Sequence, residues 1–405
     1  MNTHAARLLL GAFGDPGHAF PMLALGERLA ARGHSVTLQT WERWREPVQA
    51  AGMTFEPAPE YRVFPTQGRP LKPYEAVVRA AREMQPLVEG LQPDAVVADI
   101  LTLAPALAGE LAGVPVATLV PHVFPPGEPG FPPYSMGARL PRSGAGRALW
   151  RSLDRLAEGG LRRGRDELDG TRTRLGLDPV GRVHGGISQA LCLVATFPQL
   201  EYPRRWPSGA HVVGPLLWEP PFGEVELPPG DDPLVLVAPS TSQDPDQRLV
   251  RAALAGLARA PVRVLATTNR RPPPEPIPVP GNARLVDWVS YSRTMPRCDL
   301  VVCHGGHGTV ARALSAGCAV VAVPAGGDMN ENAARIAWAG VGTRLPSRLT
   351  TPAAIRLAVE RCLADPAIRA RARGVAAWLE RNDPASRAAE LVEAFALDSV
   401  PSDPG

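Results

Sequence analysis

The 405-residue chain is poor in cysteine and has neither a long hydrophobic run nor a large excess of charge. Its five cysteines are odd in number and form no CxxC pair, which argues against a disulfide framework or a zinc site and predicts reduced thiols in a cytoplasmic protein. No run of about 18 apolar residues occurs, so we expect no integral membrane segment. The N-terminal sequence MNTHAARLLLGAF leads directly into a predicted strand and lacks the pattern of a signal peptide.

The balance of charge argues against one class of partner. The 43 basic and 40 acidic residues are spread along the chain and leave a formal charge of only +3. A nucleic-acid-binding protein would concentrate its basic residues in a patch, so we expect no nucleic-acid partner. Hydrophobic residues make up 45% of the chain and charged residues 20%, which allows large buried cores. A chain of this length with such cores predicts two domains.

Strand patterns alternate with helical patterns along the whole chain, which is typical of doubly wound parallel sheets in α/β proteins. Strands are predicted over residues 5–13, 35–40, 94–100, 116–120, 190–197, 211–215, 234–238, 262–267, 283–287, 300–303 and 319–323. Helices are predicted over residues 19–31, 74–91, 103–112, 147–175, 310–316, 352–364, 368–381 and 385–396.

These patterns divide into two Rossmann-like domains. We expect the first over residues 1–216 and the second over 234–384, joined by a linker over 217–233 that is rich in proline and glutamate. The final predicted helix has no partner left in its own domain, so we expect residues 385–405 to cross back to the first domain. Residues 121–146 are irregular and rich in proline, glycine and aromatic residues, and a stretch of that length inside a domain indicates function.

One stretch, residues 299–338, has the layout of an anion-binding site. A buried strand leads into the turn His304-Gly-Gly-His-Gly-Thr309, and a helix is predicted to follow. Backbone without side chains lets a phosphate come close, while the unpaired N–H groups and the dipole of the helix favour negative charge. A second glycine turn at 326–327 delivers Asp328 to the next helix. The stretch therefore indicates a nucleotide-like ligand with a further group attached.

Several side chains at these strand ends are candidates for binding that ligand. His304 can donate a hydrogen bond to a diphosphate, and Thr309 can add its hydroxyl, with helix capping as the alternative role of Thr309. Asp328 is a candidate ligand of sugar hydroxyls, also with capping as the alternative, and Asn332 points the same way one turn later. Trp288 ends a predicted strand, where it either stacks on a nucleobase or belongs to the core.

A candidate proton acceptor lies near the N-terminus. His18 follows the first predicted strand, at the edge where open α/β sheets bind their ligands, and imidazole is suited to take a proton near neutral pH. Asp99 closes a buried apolar run at the same edge and is its natural partner. The alternative is that His18 caps a helix and Asp99 merely ends a strand. Asp244-Pro-Asp246 reads as a helix start, and we expect no metal there.

These motifs together resemble the donor-binding signature of inverting GT-B nucleotide-sugar glycosyltransferases, which include bacterial natural-product and macrolide enzymes and plant UDP-glycosyltransferases. Gly14-x-x-Gly17-His18 matches the catalytic-base motif of the family, and Asp287-Trp288-Val289 lies where the family carries the tryptophan that stacks on the base. The resemblance covers the whole chain in the right order. Its donor-side matches are His304-Gly-Gly-His-Gly-Thr309, Pro324, Gly327-Asp328 and Asn332-Ala333.

The resemblance implies two domains that face a cleft, with the donor in the second and the acceptor in the first. It implies that His18, oriented by Asp99, takes the proton of an acceptor hydroxyl, which then displaces the nucleoside diphosphate with inversion. Helix dipole and hydrogen bonds replace Mg²⁺ at the leaving group, so no cofactor is expected. The implied donor-binding residues are Thr241, Trp288, Val289, His304, Gly306, Gly308, Thr309, Asp328, Met329 and Asn332.

The chain departs from the family at three positions. Met329 stands where a glutamine often follows the aspartate, Tyr291 replaces another common glutamine, and Arg312 stands where plant members often place the glutamate that holds the ribose. UDP and dTDP therefore both remain open as the nucleotide. The expected acceptor is a lipophilic polyketide, polyphenol, sterol or terpenoid. Candidates to line its pocket, or else to belong to the core, are Trp41, Trp44, Phe64, Phe124, Phe131, Tyr134 and Trp150.

Two other functions are weighed against this one. Another GT-B enzyme, such as a nucleotide-sugar 2-epimerase or a cell-wall glycosyltransferase, is the first; an epimerase would need more carboxylates at the cleft and no acceptor loop. A non-catalytic partner of a glycosyltransferase is the second, and such a protein would lack His18 or the diphosphate motif. Both features are present. We expect the protein to act as a monomer or a homodimer.

Overall fold

The structure is a computed structural model that describes residues 5–58, 73–240 and 243–397, with the backbone only at 73–75 and 155–157. Within these ranges the chain forms a seven-stranded and a six-stranded parallel sheet. The central strands are short apolar runs whose residues are all buried, as expected where helices cover both faces of a parallel sheet. The predicted α/β class with two doubly wound sheets is confirmed.

The first sheet has the strand order β3-β2-β1-β4-β5-β6-β7. The order reverses between β1 and β4, and ligands of open α/β sheets bind beside such a point, at the carboxyl ends of the strands. The strands are β1 Arg7–Gly11, β2 Ser35–Thr40, β3 Thr54–Pro57, β4 Ala95–Asp99, β5 Val116–Val120, β6 Cys192–Val194 and β7 Ala210–Val212. The helices of this half are α1 Pro16–Ala31, α2 Arg45–Ala50, α3 Pro73–Leu91, α4 Leu103–Leu111 and α5 Gly144–Leu175.

The second sheet has the order β10-β9-β8-β11-β12-β13 and reverses between β8 and β11. Its strands are β8 Leu234–Ala238, β9 Arg263–Thr267, β10 Ala283–Val286, β11 Leu300–Cys303, β12 Ala319–Ala322 and β13 Gly342–Arg344. The helices of this half are α6 Arg248–Leu257, α7 Tyr291–Thr294, α8 His307–Ser315, α9 Asp328–Ala339, α10 Pro352–Ala364 and α11 Pro366–Glu380, and α12 Pro384–Leu397 follows them.

Helix α12 packs against the first half of the molecule. Ala388 and Val392 are fully buried in the core that contains β1 and α1. At its solvent edge, Glu393 accepts hydrogen bonds from the Arg32 guanidinium, at 2.5 Å, and from His34 Nε2, at 2.6 Å. The prediction that the last helix crosses back to the first domain is therefore confirmed.

Some elements differ from the sequence-based expectation. Strands β3 and β13 and helix α2 were not predicted, because they are short and carry polar residues. Helix α11 begins at Pro366 rather than 368, since the Asp365 carboxylate accepts from the N–H groups of Ala367 and Ile368 and so caps the helix earlier. Helix α8 begins at His307 rather than 310, so half of the glycine turn is its first turn. Among the described residues, none of the helices combines the length and hydropathy needed to span a bilayer.

Candidate active site

His18 and Asp99 meet at the carboxyl edge of the first sheet. Asp99 ends β4 and His18 lies in the first turn of α1, which follows the neighbouring strand β1. His18 Nδ1 lies 2.8 Å from Asp99 Oδ1, and the other oxygen of Asp99 accepts from the Phe13 N–H at 3.3 Å. The buried carboxylate thus fixes the proton on Nδ1 and leaves a lone pair on Nε2. The side chain of His18 remains 17% exposed, whereas that of Asp99 is fully buried.

The pKa of His18 is raised above its ordinary value. Burial opposes the charged imidazolium, but the charge and hydrogen bond of Asp99 outweigh it, with smaller contributions from Asp328 and Asp15. Because the ring gains basicity and its carboxylate partner stabilises the protonated form, the pair has the properties of a general base.

The glycine turn after β11 is shaped for close approach of an anion. Gly305 has φ of +83°, a conformation that favours glycine, and Gly306 occupies the N-cap position of α8. A Cβ atom on Gly306 would lie 2.3 Å from His304 Nε2, so the imidazole packs directly against the backbone. Asn332, at 2% exposure, donates from Nδ2 to the Gly305 carbonyl at 2.9 Å. Asn332 therefore holds the turn through the Gly305 carbonyl, and its contact with the donor stays a prediction.

The two histidines of the turn face different groups. His304 Nδ1 lies 3.4 Å from the Ala238 carbonyl, and burial lowers the pKa of the ring. A neutral His304 that donates from Nδ1 can donate to a diphosphate from Nε2 only after it takes up a proton, which the anion favours. His307 Nε2 lies 3.3 Å from the Ala195 carbonyl next to β6, and burial, followed by the charge of His122, lowers its pKa to about 4. His307 therefore connects the two halves.

Asp328 faces the cleft from the start of α9. The cap position belongs to Gly327, which has φ of +53°, and Asp328 is the first helical residue. Capping is therefore not its role. Its negative charge raises the pKa of His18 across the cleft and contributes, after burial, to the raised pKa of Tyr134. The charge of Asp328, at the start of α9 in the second half, thus acts on the candidate base in the first half.

Trp288, the residue predicted to stack on the nucleobase, lies at the end of a strand, whereas its neighbour Val289 lies in the core. Trp288 follows β10 and is half-buried, and the Arg270 guanidinium carbon lies 4.8 Å from the centre of its ring. Val289 is 2% exposed and belongs to the core of the second sheet, so its side chain is not available to a ligand. Thr241, also predicted to bind the donor, lies outside the described residues.

Arg312 ties the linker to the second half. Its guanidinium donates to the Trp218 carbonyl and lies 3.4 Å from a carboxylate oxygen of Glu219. The other oxygen of Glu219 accepts from the hydroxyls of Ser290 and Ser292, both at 2.5 Å. Arg312 is thus paired with Glu219 and holds the linker through the Trp218 carbonyl. This is what the structure shows at the position where plant members of the family often place the glutamate that binds the ribose.

A mostly apolar cavity of about 820 Å³ lies between the irregular loop after β5, helix α5 and the segment before β6. Three of the predicted acceptor residues line it: Phe124, Phe131 and Tyr134. The further lining side chains include several prolines of the loop, Leu161, Val183 and Ile187. The loop that the sequence indicated as functional therefore forms one wall of this mostly apolar cavity.

The remaining aromatic candidates lie elsewhere. Trp44 donates from its indole N–H to the Gly14 carbonyl at 2.7 Å and packs on Phe20 beside α1, so it belongs to the core. Trp41 packs against Phe13 with ring centres 5.0 Å apart, and Phe13 in turn contacts the His18 ring at 6.1 Å. Trp41 therefore lies near the base rather than in the cavity.

One further candidate is absent from the described lining of the cavity. Trp150 is half-buried on α5 and is absent from the described lining. Phe64 falls outside the described residues.

A buried ionic cluster joins helix α9 to the first half. Arg335, at 2% exposure, donates from Nε to Glu331 at 2.7 Å and from Nη1 to the Leu200 carbonyl at 3.2 Å. The same Nη1 lies 3.3 Å from Glu201, and the guanidinium stacks 3.4 Å over the ring of Tyr202. Burial raises the pKa of Glu201 even though Arg335 opposes this shift, which shows how strongly the cluster is desolvated.

The same two glutamates fix the loop after β5. Glu201 accepts from the Phe124 N–H at 2.7 Å, and Glu331 accepts from the Ser135 N–H at 3.3 Å. Since Phe124 and the neighbour of Ser135, Tyr134, line the cavity, the cluster sets the position of the cavity wall relative to α9.

Comparisons with known proteins bear on this geometry. The family model described as Glycosyltransferase family 28 N-terminal domain matches residues 8–118, and the model Erythromycin biosynthesis protein CIII-like, C-terminal domain matches residues 251–394. The O-mycaminosyltylonolide 6-deoxyallosyltransferase of Streptomyces fradiae is 30% identical over 96% of this chain and 97% of its own length. The chain belongs to the GT-B nucleotide-sugar glycosyltransferases.

Further similarities of this glycosyltransferase agree with that assignment. The 4'-demethylrebeccamycin synthase of Lentzea aerocolonigenes is 29% identical over 96% of the chain and 99% of the relative. The crystal structure of CalG4, the calicheamicin glycosyltransferase, matches with a TM-score of 0.75 at 25% identity, over 98% of this chain and 100% of that one. The protein is therefore an enzyme that transfers a sugar from a nucleotide sugar.

Two parts of the glycosyltransferase site were not found from the sequence. His122 follows β5 at the edge that carries Asp99, so the strand-end signal that identified Asp99 was also present for His122. The ionic cluster around Arg335 gave no signal, because its members are far apart in the chain and each resembles an ordinary surface residue until the fold brings them together.

Proposed function

We propose that the protein transfers a sugar from a UDP- or dTDP-sugar to a hydroxyl of a lipophilic small molecule, with inversion of the anomeric configuration. The observation that carries the proposal is the 2.8 Å contact between His18 Nδ1 and Asp99 Oδ1, which leaves His18 Nε2 as a proton acceptor at the cleft. The diphosphate turn borders the same cleft from the other half. Family membership supports the general reaction.

The proposed reaction is a single displacement. His18 Nε2 takes the proton of the acceptor hydroxyl, and Asp99 stabilises the imidazolium that forms. The acceptor oxygen bonds to the anomeric carbon, on the face opposite the diphosphate, while the bond from that carbon to the diphosphate oxygen breaks and its electron pair leaves with the diphosphate. The N–H groups at the start of α8 and a protonated His304 stabilise the negative charge of the leaving group. Asp328 accepts hydrogen bonds from sugar hydroxyls.

The acceptor is proposed to bind in the cavity of about 820 Å³ beside the loop after β5. Apolar side chains and prolines dominate its walls, which favours a polyketide, polyphenol, sterol or terpenoid over a sugar or peptide. The names of the relatives, a tylonolide glycosyltransferase and a rebeccamycin synthase, support the same class of acceptor.

A variant of His18 tests the base. His18→Ala is expected to lower transfer by about two to four orders of magnitude, the usual scale for a general base, because it removes the imidazole proposed to take the proton of the hydroxyl. Thermal-shift titration with UDP, dTDP and their glucose conjugates first identifies the nucleotide, and calorimetric titration then measures its affinity for both proteins. Affinity is expected to stay unchanged. Transfer by His18→Ala at a rate near that of the wild type would disprove the base assignment.

A further inference from the structure

The loop after β5 contacts the second half of the molecule at two neighbouring points. The Ser135 N–H donates to the Glu331 carboxylate of α9 at 3.3 Å. Two residues later, the Gly137 carbonyl accepts a hydrogen bond from the guanidinium of Arg344, the last residue of β13. Strand β13 lies at the edge of the second sheet, so this second contact comes from a different element. A strand of the donor half therefore holds the loop of the acceptor half.

Arg344 packs directly on the backbone of Gly137. A Cβ atom on Gly137 would lie 2.9 Å from one terminal nitrogen of the guanidinium and 3.1 Å from its central carbon. Gly137 also has φ of +75°, a conformation that favours glycine. The guanidinium thus occupies the space that any other side chain at position 137 would fill, and the contact requires glycine there.

The short segment 135–137 receives little support from its own side chains. Met136, its middle residue, is 55% exposed. Ser135 has φ of +66°, which is uncommon for a residue with a Cβ atom and persists where the surroundings impose it. Because apolar burial does not hold the segment, the hydrogen bonds with Glu331 and Arg344 fix its conformation.

Tyr134, which directly precedes this segment, lines the cavity proposed for the acceptor. Its hydroxyl lies 3.3 Å from His122 Nδ1, and the ring centre of His122 lies 6.2 Å from that of His18. Tyr134 therefore connects the cavity wall with the surroundings of the candidate base. A shift of residues 135–137 moves Tyr134 and changes the cavity where the acceptor hydroxyl must approach His18.

We propose that Arg344 is a positioning residue for the acceptor: by holding Gly137 from the second half, it sets the place of Tyr134 and the fit of the acceptor in the cavity. The inference rests on the proposed function, since it requires the acceptor to bind in this cavity. When only a fraction of the molecules has the cavity in its binding form, the affinity for the acceptor falls by that fraction. Part of acceptor recognition thus belongs to the half that binds the donor.

Arg344→Met tests the contact, because it removes the hydrogen-bond donors and keeps an apolar stem. The acceptor is whichever of kaempferol, estradiol and erythronolide B the wild type glycosylates fastest, with UDP-glucose or dTDP-glucose chosen by thermal shift. The KM of that acceptor is expected to rise about 3- to 10-fold, the scale of one net hydrogen bond, while the KM of the donor stays unchanged. Arg344→Lys still carries a donor for the carbonyl and is expected to recover part of the loss.

Gly137→Ala breaks the same contact from the first half. Its new Cβ atom displaces the guanidinium, so the acceptor KM is expected to rise as in Arg344→Met, and the double variant is expected to show no further rise. Arg371→Met is the matched control. Its Nε also donates to a glycine carbonyl, that of Gly340 at 2.8 Å, but entirely within the second half. This control is expected to leave the acceptor KM unchanged.

Hydrogen exchange over residues 133–138 tests the same contact without any substrate. Exchange is expected to be faster in Arg344→Met than in the wild type and in Arg371→Met. Unchanged exchange in Arg344→Met would overturn the inference, and so would an acceptor KM that stays the same or a donor KM that rises equally.

These outcomes are separate from those that bear on the proposed function. Loss of transfer in His18→Ala together with an unchanged acceptor KM in Arg344→Met would leave the proposed function standing and remove only the role of Arg344. Transfer to none of the three acceptors by the wild type would instead count against the proposed acceptor class, and with it against the inference.

Discussion

The two walls of the cleft are built in different ways. The donor wall comes from one stretch of sequence, residues 299–338, and presents mainly backbone: two glycine turns and the starts of α8 and α9. The opposite wall presents side chains from separate elements: His18 from the first turn of α1, Asp99 from the end of β4 and His122 from the segment after β5. Backbone N–H groups recognise any anion of the right shape, whereas placed side chains recognise particular hydrogens. The first wall is therefore readable from one short stretch of sequence, whereas the second depends on how the fold brings separate elements together.

The two walls are also connected. Helix α9 carries Asp328 at its start and Arg335 two turns later, and Arg335 reaches Leu200 and Glu201 of the first half. The loop after β5, which lines the cavity, is held by Glu201 and Glu331, the two glutamates that contact Arg335. The wall of the cavity therefore takes its position partly from helix α9.

The largest expected effect comes from Asp99→Asn. The amide keeps the shape of the side chain but removes the charge that stabilises the His18 imidazolium, so turnover is expected to fall by about two to four orders of magnitude. With that charge gone, burial dominates and the pKa of His18 falls. The acidic limb of the kcat/KM profile, set in the wild type by the raised pKa of His18, is then expected to move to lower pH. An unmoved limb would show that another group controls it.

Arg335→Ala tests the support of the acceptor wall. Removing Arg335 takes the cation from the buried pair with Glu331 and leaves Glu201 with Arg204 alone, 3.5 Å away, so we expect a loss of about 3 to 5 kcal/mol in the free energy of unfolding. Denaturant titration measures it. Arg387→Ala is the matched control, because its pair with Glu390 is exposed and is worth about 0 to 1 kcal/mol. Equal losses in the two variants would contradict the support role of the cluster.

Gly306→Ala tests the close packing of the donor wall. Its Cβ atom would lie 2.3 Å from His304 Nε2 and must push the ring aside, which is expected to cost about 1 to 3 kcal/mol of stability and to weaken diphosphate binding. Gly308→Ala meets no atom within 4 Å and lies in the first turn of α8, so it is expected to preserve stability. Thermal unfolding compares the two. Similar stability of both variants would mean that the His304 ring moves away from the new Cβ atom at no cost in stability.

The smallest expected effect follows removal of divalent metal. The donor wall offers helix N–H groups and His304 to the leaving diphosphate, so EDTA is expected to leave the transfer rate unchanged. In the described part of the chain, no group of three or more His, Cys, Asp or Glu side chains is arranged to hold a metal ion. Activity that disappears with EDTA and returns with Mg²⁺ or Mn²⁺ would overturn this expectation.

The sequence reveals the two walls unequally, for a physical reason. The strand, glycine turn and helix of the donor wall follow one another within a few residues, so local patterns predicted the turn at 304–309, and only details such as the capping of α8 by Gly306 were missed. His18 and Asp99 were paired because strand ends of one sheet meet. The burial of Val289 and the tie between Asn332 and Gly305 depend on packing between elements, which no local pattern encodes.

The loop after β5 shows the same limit more strongly. The composition of the loop indicated function. The cavity that it lines also depends on α5, on the segment before β6 and on the cluster around Arg335, all of which are distant in sequence. The aromatic candidates were chosen by residue type alone. Phe124, Phe131 and Tyr134 line the cavity, while Trp44 fills the core beside α1, because ring size does not tell which side of a strand or loop a residue faces.

Helix α12 has a consequence for how the protein is made. Ala388, Ala389, Val392 and Ala396 are completely buried in a core whose other fully buried members all lie between residues 6 and 216. On the ribosome, the first sheet can therefore assemble but its core stays open on one side until this helix is translated. The half that carries the proton acceptor is the first to be synthesised and the last to be completed, so nascent chains expose that apolar groove throughout synthesis of the donor half.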